Sequence, residues 1–217
     1  MLFPYKDDNP RILVPYVTFG LIGLNALIFF FQFGMELKDP EIAVNIIYTF
    51  GLIPAQFSIL SLITSMFLHG GFAHIVGNMW FLWVFGDNVE STMGHVRFLV
   101  FYILCGLAAG IAQITINPDS IIPMVGASGA IAGVLGTYMM RFPHAKVHVF
   151  VFIVIFFTTI QVPAYLVLGI WFIIQLTSGL GSLGFDTTGG VAWFAHIGGF
   201  IAGIIIQHLF KIIKLRD

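Results

Sequence analysis

The chain has 217 residues, of which 59% are hydrophobic and 9% charged, with a net charge of -1 and a mean hydropathy of +0.99; soluble domains carry roughly a quarter charged residues. Water is therefore excluded as the main solvent, and the lack of any basic run or aromatic-interleaved basic patch excludes nucleic acid as a partner. Cys105 is the sole cysteine, which excludes a disulfide framework and a thiolate metal pair.

Residues 1–11 (MLFPYKDDNPR) are polar and read as a short tail, not as a cleaved signal peptide. Charge-free stretches follow at 12–35, 42–86, 98–118, 120–140, 147–185 and 187–210, each long enough for the roughly 20 apolar residues a spanning helix needs. The first span is predicted near 13–34. Within 42–86, the segment 51–70 holds Gly51, Pro54, Gln56, Ser58, Ser61, Thr64, Ser65 and His69, which suits an interfacial or protein-buried loop. The second span then falls at 71–90, and the others at 97–116, 126–141, 147–177 and 192–213. The run VFVFIVIFF at 149–157 reads as lipid-facing, and Pro163 as a bend in the fifth span. The fold class expected is an all-α, six-transmembrane-helix bundle, one membrane domain over 1–217 with its core at 12–213. Its partner is the lipid bilayer.

With a cytoplasmic N-terminus, Lys6, Arg11, Arg97, Arg141, Lys146, Lys211, Lys214 and Arg216 all face the cytoplasm, and only Lys38 lies outside. This suits a multi-pass protein of a prokaryotic plasma (inner) membrane with both termini inside. A seven-span arrangement with the N-terminus outside leaves the loops around 119 and 186 outside as well.

Polar clusters then gather at the outer side. In GASGAIAG (126–133), Ser128 begins the fourth span; a helix over 126–141 rises only about 24 Å against a hydrocarbon layer of ~30 Å, so its outer end is recessed. Gly126, Ala127 and Gly129 leave room for a substrate backbone beside the serine. In WFAHIGGFIAG (193–203), His196 lies in the first turns of the last span, where Ala195, Gly199 and Gly203 recur every four residues as a face for close helix packing. In HGGFAHIVGN (69–78), His74 and Asn78 share one helix face. Singly, each is equally well an interhelical hydrogen bond worth about 0.6 kcal/mol. Together, at one depth, they supply a nucleophile (Ser128), a base (His196) and oxyanion donors (Asn78, with His74 assisting).

HGGFAHIVGNMWFLWVFGDNVE (69–90), GASGAIAGVLG (126–136) and AHIGGFIAG (195–203) resemble, in order and spacing, the rhomboid family of intramembrane serine proteases. The resemblance implies a rhomboid-like six-span bundle and a Ser128–His196 dyad with no carboxylate partner. It also implies an oxyanion hole from the Ser128 backbone N–H, Asn78 and His74, and a structural role for Glu90. The substrates it implies are the transmembrane segments of single-span proteins, cut near their outer end.

Many members carry an aromatic residue four positions after the serine; here it is Ala132, so something else must orient His196. The Trp-Arg pair of the first outer loop is absent from SILSLITSMFLH (58–69). The glycine-rich loop 178–190 reads as a mobile cap over the site, and Asp186 within it as a solvated loop charge, not as a third triad member. The rival from another class is a catalytically inactive relative that binds or escorts membrane proteins, although such relatives typically lack the serine or histidine. A transporter would need charged residues mid-span. A zinc enzyme using His69, His74 and His196 would need an H-E-x-x-H motif, which is missing. No metal and no cofactor is expected.

Overall fold

The computed structural model describes residues 2–153, 156–183 and 191–210. Strand β1 (Leu2–Asp7) is followed by helices α1 (Tyr16–Lys38), α2 (Pro40–Phe50), α3 (Ile59–Thr64), α4 (Phe72–Met93), α5 (His95–Ile116) and α6 (Ser128–Arg141). The hairpin β2 (Lys146–Ile153) and β3 (Phe156–Pro163) leads into α7 (Ala164–Ser182), and α8 (Trp193–Ile206) completes the helices. The helical bundle is the one expected. α1, α5 and α7 are each long and apolar enough to cross a bilayer, and the bent pair Ile59–Phe67 with Phe72–Met93 is a further candidate. α1 turns Leu27, Phe30 and Phe31 outward, an apolar surface that only lipid solvates well. The protein is an integral membrane protein.

α6 and α8, with 14 residues each, rise about 21 Å. Gly129 to Tyr138 of α6 are buried without exception, which makes it the central helix of the bundle. It meets α8 through glycines: a Cβ on Gly199 or Gly203 would strike the carbonyl of Gly129 or Gly133. Thr137 Oγ1 adds a hydrogen bond to the Gly203 carbonyl at 2.9 Å.

The N-terminus of α1 is capped across the bundle. Its N-cap, Pro15, supplies no side-chain bond, and the fully buried Glu90 of α4 accepts instead from Val17 N (2.9 Å), Thr18 N (2.8 Å) and Thr18 Oγ1 (2.7 Å). A carboxylate there satisfies orphan N–H groups and complements the helix dipole. Arg11, Arg97, Arg141 and Lys146 lie at this same end, by the starts of α1 and α5 and the end of α6.

Residues 51–70 form the interfacial or protein-buried loop expected of them, buried at 51–54, 61–62, 65–66 and 68–69 and exposed over 55–60. A Leu52–Met124 bridge, a Ser58–Ser61 capping box and a bend of 89° between α3 with its following turn and α4 shape it. Gln32 of α1 binds the backbone N–H of His69 at 3.2 Å and so fixes the entry to α4.

Four sequence readings are corrected. Residues 146–163 are a β-hairpin, not the first half of the fifth span, and Leu2–Asp7 of the supposed tail pairs antiparallel with β2 in a sheet of order β1-β2-β3. Within the run read as lipid-facing, Val149 is fully buried with Val147, while His148 and Phe150 point to the other face, the period of two of a strand. Pro163 ends β3 and stands at the N-cap of α7, where its missing N–H costs nothing, so it bends no helix. The sheet is tied to the charged end of the bundle by Trp80 Nε1 donating to the Pro4 carbonyl (2.6 Å) and Tyr138 Oη donating to Asp7.

Candidate active site

α4, α6 and α8 all begin at the end of the bundle opposite Glu90, and the residues singled out in the sequence come together there. Ser128 is the first residue of α6, so the N–H groups of the first turn have no acceptor within the helix. The approach to it is fixed from outside the helix. Gly126 N donates to the Ser65 carbonyl at 2.8 Å, and Met124 exchanges hydrogen bonds with Leu52. Gly126 has φ +125, a conformation that side chains rarely adopt.

His196, in the first turn of α8, directs Nε2 to Ser128 Oγ at 2.8 Å. The glycine faces of α6 and α8 set that distance, because they let the two backbones touch one turn further in. On its other side, His196 Nδ1 is 2.7 Å from Gln175 Oε1 of α7. Trp171, one turn earlier on α7, lies against the imidazole with ring centroids 5.9 Å apart, and Trp193 meets it edge-on at 6.4 Å. Ala132 is wholly buried; the groups that hold the histidine come from α7 and from Trp193 of α8, not from its position.

Asn78 and His74 project from the first turns of α4 toward Gly126. A Cβ built on that glycine would lie 2.7 Å from both His74 Cε1 and Nε2 and 3.5 Å from Asn78 Nδ2, so a side chain at 126 would fill the space these groups face. Asn78 is buried, and its Nδ2 has no hydrogen-bond partner. Buried amide donors are rarely left so, and this one is aimed at the space next to Ser128. His69, whose ring nitrogens are likewise unpartnered, packs edge-on against His74 at 5.2 Å. Beside Ser128 lies a cavity of about 20 Å³, walled among others by Leu62, Met66, Gly106, Ala109 and Gly110.

The constellation is therefore a serine hydroxyl bonded to an imidazole, with amide donors converging from two helices. That arrangement suits attack on a carbonyl and stabilisation of the oxyanion formed. Arg11–Asp87, His95–Glu90 and His148–Asp8 all lie at the other end of the bundle. Asp186 lies outside the described residues. The residue sequence reasoning missed is Gln175; its signal was a lone amide in the apolar run AYLVLGIWFIIQL (164–176).

Comparison with known proteins adds to this. The Rhomboid domain family matches residues 56–212. The chain is 28% identical over 218 residues to Rhomboid protein 1, mitochondrial, of Saccharomyces cerevisiae, covering 94% of this chain and 54% of that protein. It is 31% identical over 194 residues to Rhomboid protease GluP of Bacillus subtilis (87% and 34%) and 32% identical over 127 residues to Putative rhomboid protease YdcA of the same organism (58% and 62%). The chain thus spans between a third and two thirds of the length of these relatives.

Proposed function

The chain belongs to the rhomboid family, and from that premise we propose that it is an intramembrane serine endopeptidase with Ser128 as nucleophile and His196 as general base and acid. The observation that carries this reading is the 2.8 Å contact between Ser128 Oγ and His196 Nε2. Names of relatives that include the word protease agree with it. His196 takes the hydroxyl proton as Ser128 attacks a peptide carbonyl, then hands it to the leaving amine; water repeats the sequence on the acyl-enzyme. The oxyanion is received by the Ser128 N–H and the unpartnered Nδ2 of Asn78, with His74 beside it. α1 and α4 to α8 are the six spans, and no metal or cofactor takes part.

The substrates are transmembrane segments of other membrane proteins. The reading extends to the plasma membrane of a prokaryote, and the basic residues at the Glu90 end support a cytoplasmic location for it, with the Ser128 end open to the outside. The test is labelling with a fluorophosphonate probe in detergent. Labelling of the wild type that vanishes in Ser128→Ala is expected. An unlabelled but folded wild type would instead favour an inactive relative that binds membrane proteins.

A further inference from the structure

We infer that Gln175 is a positioning residue for the base: its side-chain oxygen holds His196 in the tautomer with a proton on Nδ1, leaving the Nε2 lone pair for Ser128. The inference rests on the dyad reading above and supplies the group that the Ala132 position does not.

A neutral imidazole has one N–H donor and one acceptor. If Nε2 is to take the proton of Ser128, 2.8 Å away, Nδ1 must carry the hydrogen and needs an acceptor. Gln175 Oε1 stands 2.7 Å from it. Gln175 is 6% exposed on an otherwise apolar stretch of α7, and a buried amide costs free energy unless it is bonded. Its hydrogen-bond partner is this ring nitrogen.

The register of α7 supports the contact. Trp171 and Gln175 are four residues apart and share a face, so the same face that supplies the acceptor lays an indole on the imidazole. Gly179, one turn further, keeps that face close to α8: a Cβ there would come within 3.2 Å of Trp193 Cβ and 3.3 Å of Ile197 Cδ1. The choice of an amide also follows from the surroundings. A carboxylate among apolar helices would carry a desolvation cost, whereas an amide oxygen orients the ring without a second buried charge.

The test uses the full chain in detergent with a transmembrane substrate. Gln175→Met, close in length and without an acceptor, should lower kcat and the rate of fluorophosphonate labelling by about 100-fold, as expected for a misplaced reacting group, with KM within about threefold. In 15N-histidine NMR spectra the wild type should show His196 protonated on Nδ1, and the Met variant should lose that preference. A Met variant with kcat within about threefold of wild type overturns the inference, as does a Met variant whose spectra keep the wild-type preference for a proton on Nδ1. Should the Met variant not fold, the wild-type spectrum decides, and a proton on Nε2 instead of Nδ1 overturns it. Ser128→Ala separates the two readings: if it is inactive while Gln175→Met is normal, only the role of Gln175 fails, whereas an active Ser128→Ala removes the dyad itself.

Discussion

Gly199 of α8 packs against the carbonyl of Gly129 of α6, so closely that a single methyl on Gly199 would collide with it. This contact lies one turn inside the Ser128–His196 pair and governs how near the two side chains come. Gly199→Ala gains helix propensity, up to about 1 kcal/mol, but overpacking a dense interface costs about 1–3 kcal/mol. The helices should therefore separate locally. We predict a folded variant whose fluorophosphonate labelling is about 100-fold slower, since small misplacements of a reacting group have effects of that size. Labelling at the wild-type rate would show that the glycine contact does not set the dyad.

Asn78 leads to a second prediction. Its Nδ2 is buried, unpartnered and directed at the space in front of Gly126. If that nitrogen waits for the oxyanion, Asn78→Ala should lower kcat by roughly 10²–10³ and leave KM nearly unchanged. A pure rise in KM would reassign Asn78 to holding the substrate.

The residues that meet at the candidate site were more legible than the local elements around them. Ser128, His196, His74 and Asn78 stood out because polar residues inside apolar runs have few reasons to be there, and the glycine repeats on two helices foretold which faces would meet. Gln175 obeyed the same rule but was passed over, since it belongs to no motif and its meaning depends on the helix packed opposite. The hairpin at 146–163 was misread for a different reason. A charge-free apolar run has the same hydropathy as a helix or as a buried strand, and only its Val, Ile, Phe and Thr content, with Val147 and Val149 alternating against His148 and Phe150, pointed to strands. β1 was hidden because its partner lies more than 130 residues away in sequence.

The stability of that sheet depends on pH. Burial raises the carboxyl of Asp7 to about 6, against a partly offsetting hydrogen bond from Tyr138 and with Asp87 nearby adding to the rise. The native state then holds a proton that the unfolded chain, titrating at 3.8, has released. Asp7 therefore contributes stability that is fully present below about pH 4 and is lost as pH rises through about 6. Thermal unfolding in detergent of wild type and Asp7→Asn, compared from pH 4 to 8, should show the difference in Tm changing between about 4 and 6 and level above that. A difference independent of pH would mean that Asp7 titrates normally.

Glu90 supports the same end of the molecule without touching the chemistry. It is fully buried and accepts from two backbone N–H groups of α1 and from Thr18 Oγ1, with His95 Nδ1 also at 2.6 Å. Glu90→Ala strands these donors, and the loss should be about 3 kcal/mol or more, at 1.5–3 kcal/mol for each bond to a charged group less what water recovers. The expected signature is a lowered Tm with labelling of Ser128 unchanged at temperatures where the variant remains folded. A selective loss of labelling with unaltered Tm would contradict a purely structural role.

The last prediction concerns where a substrate is cut. Within a regular transmembrane helix every carbonyl is tied to the N–H four residues on and wrapped in side chains, so Ser128 cannot attack it until the helix opens. Opening must come first. Ser128 begins a helix of 14 residues, about 21 Å long, in a hydrocarbon layer of ~30 Å, and it stands at the end of the bundle away from Glu90. The susceptible bond should then lie near the matching end of the substrate's span, where Gly, Ser or Pro lowers the cost of extension; Gly alone weakens a helix by about 1 kcal/mol relative to Ala. The side chain just before the cut should be small, because Gly126, Ala127 and Gly129 line a backbone-walled approach. Two substrates test this, one with that terminal portion replaced by leucines and one with the helix-breaking residues moved two turns inward, with products mapped by mass spectrometry. We expect the first to resist cleavage and the second to be cut poorly, without the site following the breakers. Efficient cleavage of the all-leucine version, or a cut that migrates to the far half of the span, would show that bond selection is not set by the depth of Ser128.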